Sequence, residues 1–197
     1  MTTHAPELLR LFVAIELPGD ILRELNDIQH GMQSEPALAR LRWVRPEGIH
    51  LTLKFLGETP ATKQAAIEQA MVRGVDGISS FTLHLGRLGK FGGRTSPRVV
   101  WVDVEGDVET LQRLQAAVEH ELAAGGFPAE PRGFSPHLTL ARIPPEQARE
   151  VAGPLARAIE TADPRGTDMR VEAVSLMKSD LRPTGAVYTR LFDAPLR

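Results

Sequence analysis

The tetrapeptide His50-Leu51-Thr52-Leu53 recurs as His137-Leu138-Thr139-Leu140, 87 residues further along the 197-residue chain. Each copy lies in a segment whose apolar and β-branched residues are typical of a strand, and a segment with a helical pattern follows it. An arginine precedes each histidine by five residues, Arg45 in the first copy and Arg132 in the second. A duplicated strand–helix unit explains these shared features better than chance does.

The repeat assigns its side chains to two faces of a strand. Because successive side chains of a strand point to opposite faces of the sheet, His50 and Thr52 share one face. The leucines of the motif and Phe55 are expected on the other face, where they fill a core. The same alternation, counted from the second histidine, predicts that Arg142 lies on the leucine face of its strand. Two such units packed about a pseudo-two-fold axis bring two histidines and two threonines into one cleft.

Paired histidines and threonines suit in-line displacement at phosphorus. One imidazole deprotonates the nucleophile while the other protonates the leaving group, and an ordinary histidine pKa of about 6.5 permits either role near neutral pH. Threonine hydroxyls donate hydrogen bonds to the non-bridging phosphate oxygens. This chemistry requires no metal, and the sequence has neither a cysteine nor an HExxH motif. We therefore expect no metal and no cofactor.

The order of apolar patterns along the rest of the chain predicts an α+β fold with a mainly antiparallel sheet. Strands are expected at residues 9–17, 49–56, 81–88, 98–104, 137–143, 169–177 and 186–192. Helices are expected at residues 20–32, 59–73, 107–124 and 144–160, and a glycine-rich turn joins the third and fourth strands. No linker separates two units, so we expect one domain over residues 1–197, built from two similar halves.

Composition and charge exclude several classes of protein. Lys and Arg number 23 and Asp and Glu 25, a net charge of −2, so the chain lacks the basic excess of a long duplex-binding surface. Without cysteine it has no disulfide, thiolate nucleophile or cysteine-based zinc site. No apolar run approaches the roughly 20 residues that span a bilayer, and the first residues lack the pattern of a signal peptide. We expect a cytoplasmic protein that is not bound to a membrane.

Longer strings around the repeat resemble a known family. HLTLKFLGE (50–58) and PHLTLAR (136–142) contain two His-x-Thr-x motifs, the signature of the 2H phosphoesterase superfamily, and are similar to its LigT-like branch. That branch comprises RNA 2′,3′-cyclic phosphodiesterases, also called 2′-5′ RNA ligases. The likeness begins at RLFVAIELP (10–18), continues through PRVVWVDV (97–104) and ends in SLMKSDLRPTGAVYTRLF (175–192). It implies two lobes of antiparallel sheet, with helices on the outside and a cleft between the lobes.

The resemblance also implies an activity and roles for the site residues. The implied reaction is hydrolysis of a terminal 2′,3′-cyclic phosphate to a 2′-phosphate and, in the reverse sense, the joining of RNA ends through a 2′-5′ linkage. His50 would donate a proton to the leaving 3′ oxygen, and His137 would accept one from water. Thr52, Thr139 and Arg142 would bind the phosphate. The expected partners are RNA ends that carry the cyclic phosphate, such as tRNA halves, or nucleotides, and we expect a monomer with no obligate protein partner.

Other interpretations stay open at this point. The same residues suit a phosphodiesterase for small cyclic nucleotides or 2′-5′ oligonucleotides, or a module that binds nucleotides or RNA ends without turnover. A zinc site on the two motif histidines is a poorer interpretation, because no third ligand has suitable spacing. Arg45 and Arg132, which share the offset of the repeat, and Phe134, which can present a ring to a base, are candidates of lower rank.

Overall fold

Nine strands and four α-helices lie in the part of the chain that the computed structural model describes, residues 7–183 and 185–197. The strands are β1 (Leu8–Glu16), β2 (Arg42–Trp43), β3 (His50–Pro60), β4 (Phe81–Gly93), β5 (Ser96–Gly106), β6 (Leu138–Arg142), β7 (Asp168–Val171), β8 (Ala173–Arg182) and β9 (Gly185–Pro195). The helices are α1 (Gly19–Gln33), α2 (Gln64–Val75), α3 (Val108–Ala124) and α4 (Ala148–Thr161). The strand pairs among the described residues are antiparallel, and the order across the sheet is β7-β4-β5-β6-β3-β1-β8-β9, with β2 beside β6. The predicted α+β class with a mainly antiparallel sheet is confirmed.

The repeat of the sequence is also a repeat of the fold. An offset of 87 residues carries β1 into β5 and β3 into β6. At the centre of the sheet Leu51 of β3 pairs with Leu138 of β6, and these two leucines are equivalent residues of the two copies. An antiparallel pair of equivalent residues is the arrangement that a local two-fold axis produces. The pseudo-two-fold relation expected from the repeat runs through the middle of the sheet.

The two halves of the chain exchange strands. β4 follows α2 of the first half but pairs with β5 of the second half. β8 follows α4 of the second half but pairs with β1 of the first half. Each side of the sheet therefore needs a strand from the other half of the chain. On this ground we propose that the chain folds as one domain.

The leucine side of the sheet is its core side. Leu51 and Leu138 are completely buried, and each helix packs an apolar stripe into the same core. Helix α3, for example, buries Leu111, Leu114 and Val118 at helical spacing. The opposite face carries the half-buried histidines and threonines of the repeat. None of the helices in the described part of the chain is long and apolar enough to cross a membrane.

Two predicted helix boundaries at prolines are wrong. Helix α2 begins at Gln64, because Thr59 and Pro60 still pair with β1 at the end of β3. Helix α4 begins at Ala148, after a turn in which the carbonyls of the two preceding prolines accept backbone hydrogen bonds. In both places the proline lies before the helix and not in its first turn.

The glycine-rich segment is strand and not a long turn. β4 and β5 stay paired as far as Gly93 and Ser96, so only two residues connect them. Gly89 lies opposite Trp101 in this hairpin, and a Cβ at position 89 would lie 2.3 Å from the indole ring. The glycine is required here because the large ring crosses the backbone of the neighbouring strand.

Candidate active site

A cleft of about 690 Å³ lies on the histidine face of the sheet, on the other side from the core. Both copies of the repeat line it, with His50 and Thr52 from β3, His137 immediately before β6 and Thr139 within β6. The structure thus brings together the four residues that the repeat singles out. The volume is within the range of clefts that hold small ligands.

The two histidines are held in the same way. Nδ1 of His50 lies 2.9 Å from the carbonyl oxygen of Gly48, and Nδ1 of His137 lies 2.8 Å from that of Ser135. Because a carbonyl oxygen only accepts, Nδ1 carries the hydrogen in each ring. Nε2 is then the nitrogen that gains or loses a proton. Gly48 and Ser135 are also 87 residues apart, so this anchor belongs to the repeat.

The surroundings of the two imidazoles differ. The ring centroid of His50 lies 4.6 Å from that of Phe12 and 5.0 Å from that of Tyr188. Burial lowers the pKa of His50 to about 4, and the hydrogen bond to the backbone carbonyl offsets part of this effect. His137 instead meets the ring of Phe91, perpendicular to it at a centroid distance of 4.8 Å. His50 is therefore neutral at pH 7.

A β-bulge interrupts the side-chain alternation just after the first motif. Thr52 pairs with Ala14 of β1 and Lys54 pairs with Val13, so Leu53 has no partner of its own on β1. Leu53 and Lys54 are consequently both buried on the core side. Beyond the extra residue, the alternation has the opposite phase as far as Phe55, and a second shift of register follows between Phe55 and Gly57.

The second motif carries the same bulge. Thr139 pairs with Trp101 of β5 and Ala141 pairs with Val100, which leaves Leu140 as the extra residue. Leu140 and Ala141 are both completely buried. Since the extra residues of the two copies are again 87 positions apart, the bulge belongs to the repeat as well.

The paired bulges correct two predictions made from strict alternation. That rule puts Phe55 and Arg142 on the core side, and both expectations are wrong. Phe55 lines the cleft with 58% of its surface exposed, and Arg142 lines the same cleft from the end of β6. The two positions are equivalent in the repeat. At this position the first half therefore presents an aromatic ring to the cleft and the second half a guanidinium.

The residue after the first bulge is a buried lysine. Nζ of Lys54 lies 2.6 Å from a carboxylate oxygen of Glu119 on α3 and donates a hydrogen bond of 2.7 Å to the carbonyl of Pro128. The same carboxylate oxygen accepts a hydrogen bond from the backbone N–H of Glu130. This network connects β3 to the segment that leads from α3 to His137.

The structure does not bring the three candidates of lower rank into the cleft. Arg45 and Arg132 are exposed outside it, and Phe134 packs against the hydrophobic core. Conversely, Arg10 and Tyr188 line the cleft, although sequence reasoning did not select them. The alternation of Arg10 with buried leucines is visible in the sequence, but it identifies the cleft face only when the register of β1 on β3 is known.

The zinc interpretation lacks a ligand set. Within residues 7–183 and 185–197, no three His, Asp or Glu side chains come close enough together to hold a metal ion. The two motif histidines therefore have no third protein ligand in this part of the chain.

Comparison with known proteins assigns the chain to a family. The model of the 2′-5′ RNA ligase superfamily matches residues 17–183. The chain belongs to the 2′-5′ RNA ligase superfamily. An RNA 2′,3′-cyclic phosphodiesterase of Methanothermobacter thermautotrophicus is 33% identical over 181 residues, which are 92% of this chain and 95% of the relative. A protein of the same name from Thermotoga maritima is 30% identical over 94% of each chain.

Solved structures share the fold of this superfamily member. The crystal structure of E. coli LigT complexed with 3′-AMP has a TM-score of 0.77 and 29% identity, over 96% of this chain and 99% of that one. The resemblance to the LigT-like branch of the 2′-5′ RNA ligase superfamily is confirmed. So is the prediction of an enzyme that hydrolyses phosphodiester bonds, the class to which the named relatives belong.

Proposed function

We propose that this protein hydrolyses the 2′,3′-cyclic phosphate at an RNA end to a 2′-phosphate, with two histidines as acid and base and without a metal ion. One observation carries the proposal: His50 and His137 line one cleft, and each is anchored through Nδ1, which leaves Nε2 for proton transfer. The relatives named RNA 2′,3′-cyclic phosphodiesterase support the choice of substrate. The LigT structure with 3′-AMP supports a nucleotide as the ligand of this fold.

The proposed reaction is one in-line displacement. Water attacks phosphorus while Nε2 of His137 takes up its proton, and the bond from phosphorus to the 3′ oxygen breaks while Nε2 of His50 gives that oxygen a proton. The products are a 2′-phosphate and a 3′-hydroxyl. With the 5′-hydroxyl of a second RNA in place of water, the same groups join two ends through a 2′-5′ linkage.

Three further side chains suit the phosphate itself. Thr52 and Thr139 lie beside the histidines on the cleft face, where their hydroxyls can donate to the non-bridging oxygens. Arg142 adds a positive charge from the end of β6. In this proposal, these donors stabilise the negative charge on phosphate oxygens in the transition state.

The low pKa of His50 constrains its role as the proton donor. Burial keeps this imidazole neutral at pH 7, whereas a donor must be charged. In our proposal the substrate resolves the conflict, because its phosphate anion lies next to the ring and favours the imidazolium. The pH dependence of kcat is then bell-shaped, since one imidazole must be protonated and the other neutral.

The product formed from one defined substrate tests the proposal. An RNA that ends in a 2′,3′-cyclic phosphate is incubated with the protein and EDTA, and the product end is identified by phosphorus NMR. We expect a 2′-phosphate. A 3′-phosphate, or a loss of activity on chelation, contradicts the mechanism.

Histidine variants separate catalysis from binding. His50→Ala and His137→Ala are each expected to lower kcat by about two to four decades, the scale of losing acid–base catalysis. His120→Ala, on the exposed side of α3, is the matched control and is expected to keep its activity. If the wild type forms no product and the two variants change only nucleotide affinity, the cleft is a binding module. A panel of small cyclic nucleotides and 2′-5′ oligonucleotides tests the remaining alternatives.

The wider biological setting stays a prediction. A cytoplasmic location, a monomeric state and tRNA halves as the source of the RNA ends all follow from the sequence and its resemblance. Gel filtration and sequencing of RNA crosslinked in cells would check the last two.

A further inference from the structure

A second guanidinium lines the cleft, that of Arg10 on β1. Its neighbours Leu9 and Leu11 are buried in the core, so the alternation of the strand directs Arg10 to the cleft face. The side chain is exposed, and it forms no ion pair with any residue that the structure describes. Glu58 of β3 lies opposite Arg10 in the register of the two strands, but the two side chains form no ion pair, so the guanidinium can still bind an anion that enters the cleft.

Arg10 belongs to one half of the repeat only. The residue 87 positions later is Pro97, so the second half has no cation at the equivalent place. Arg142, in turn, has Phe55 as its equivalent. The two cleft cations therefore occupy positions that the pseudo-two-fold axis does not relate, and a bound substrate meets a different environment at each end.

Arg10 and Arg142 lie towards opposite ends of the cleft. β3 and β6 are antiparallel about their central pair, so Phe55 and Arg142 lie in opposite directions from that centre. Phe12 of β1 pairs with Phe55, and Arg10 lies two residues beyond Phe12, which is about 7 Å further along the strand.

The spacing leaves room for one nucleotide between the reacting phosphate and Arg10. Ala14, which pairs with Thr52, and Arg10 are four residues apart on β1, about 13 Å of strand, and the long arginine side chain spans part of this distance. An RNA end that places its cyclic phosphate beside Thr52 carries its next anion one nucleotide away. That anion is the phosphodiester on the 5′ side of the terminal nucleotide, and a cyclic mononucleotide lacks it.

We infer that Arg10 binds this 5′ phosphodiester. The inference rests on the proposed function and makes it more specific, because it names a residue that would make an RNA end a better substrate than a cyclic mononucleotide. A guanidinium is well suited to the task, since it donates two parallel hydrogen bonds to phosphate oxygens.

Two substrates with the same terminal base test the inference. One is the 2′,3′-cyclic mononucleotide, and the other is the dinucleotide that adds one nucleoside through a 5′ phosphodiester. We expect Arg10→Ala to reduce the preference in kcat/KM for the dinucleotide about tenfold, the scale of one charge-assisted contact at a partly exposed site. Arg149→Ala removes an exposed guanidinium from α4 and is the matched control, with the preference unchanged. A preference that Arg10→Ala leaves intact overturns the inference.

A neutral linkage gives a second test that does not depend on the folding of a variant. A dinucleotide whose phosphodiester is replaced by a methylphosphonate has no charge at that position. We expect the wild type to use it about tenfold less efficiently than the ordinary dinucleotide, and Arg10→Ala to add no further loss. A wild type that is indifferent to the linkage overturns the inference. A wild type that hydrolyses none of the cyclic phosphates refutes the proposed function, and the inference with it.

Discussion

Phosphate binding is expected to return the pKa of His50 from about 4 to its ordinary value of 6.5 or above. Burial against the rings of Phe12 and Tyr188 disfavours the imidazolium, because it removes water from the charged form. An anion beside Nε2 acts in the opposite direction. The outcome depends on which of the two free energies is larger.

The two free energies follow from the structure and Coulomb's law. A pKa of about 4 in place of 6.5 corresponds to about 3 kcal/mol against the charged form of His50. A single negative charge about 4 Å from the ring attracts it by about 4 kcal/mol at an effective dielectric constant of about 20. The attraction is the larger, so His50 becomes a competent proton donor near neutral pH only when phosphate is bound.

Proton NMR of the imidazole ring measures this coupling. The pKa of His50 is followed through the acid and neutral range with and without saturating inorganic phosphate, and the resonance is assigned by its loss in His50→Gln. Sulfate, whose charge stays constant over this range, separates the effect of the anion from the titration of phosphate itself. A His50 that titrates near 6.5 without ligand, or that does not respond to either anion, refutes the reasoning.

The low pKa of His50 is also expected to make the stability of the fold depend on pH. The unfolded chain takes up the His50 proton near pH 6.5 and the folded chain only near pH 4, so stability is lost as the pH falls through this window. The free energy of unfolding should fall by about 3 kcal/mol more in the wild type than in His50→Gln between neutral pH and pH 4. Urea unfolding at both pH values measures the difference, and equal losses contradict the low pKa.

Three further substitutions test other parts of the structure. Lys54→Met leaves a largely buried carboxylate without its cation and is expected to lower the free energy of unfolding by about 3 to 5 kcal/mol. Arg165→Ala breaks an exposed ion pair and should lower the free energy of unfolding by at most about 1 kcal/mol. If urea unfolding gives the same loss for both variants, the argument from burial is wrong. Gly89→Ala drives a methyl group into the opposing indole, so it should lower the free energy of unfolding by about 1 to 3 kcal/mol and change the tryptophan fluorescence. Gly31→Ala is the control, because its methyl group enters open space on α1 and should not lower Tm. Arg142→Ala is expected to raise KM for a cyclic-phosphate RNA about tenfold with Arg165→Ala as the control, and an unchanged KM would remove Arg142 from the phosphate site.

The two histidines and two threonines of the site are predictable from the sequence, because their positions depend on a short and regular piece of strand. His50 and Thr52 are two residues apart, and no irregularity falls between them, so the two-residue period assigns both to one face. The second copy repeats the same three positions, and the pairing of Leu51 with Leu138 places the copies side by side. The two-residue period of the strand and the repetition of the motif are therefore sufficient to predict that these four residues share one cleft.

The bulges are not predictable in the same way. Nothing in the residue types at Leu53 or Leu140 marks an extra residue, because a bulge is defined by the pairing of a strand with its neighbour. The neighbours are β1 and β5, about 40 residues earlier in the chain in each case. An error of one residue reverses the face of the residues that follow it, up to the next irregularity of the strand, which is why Phe55 and Arg142 are predicted on the wrong side.

The sequence pattern alone determines the α+β class, the repeat and the presence of His50 and His137 in one cleft. Each of these predictions rests on periodicity or on identity between two stretches of chain. The tertiary structure alone decides the low pKa of His50, the turn of Arg142 into the cleft and the alignment of Arg10 with the same face. Each of these depends on strand register or burial between segments that are distant in the chain. Such contacts form only when the sheet is assembled, so no local pattern records them.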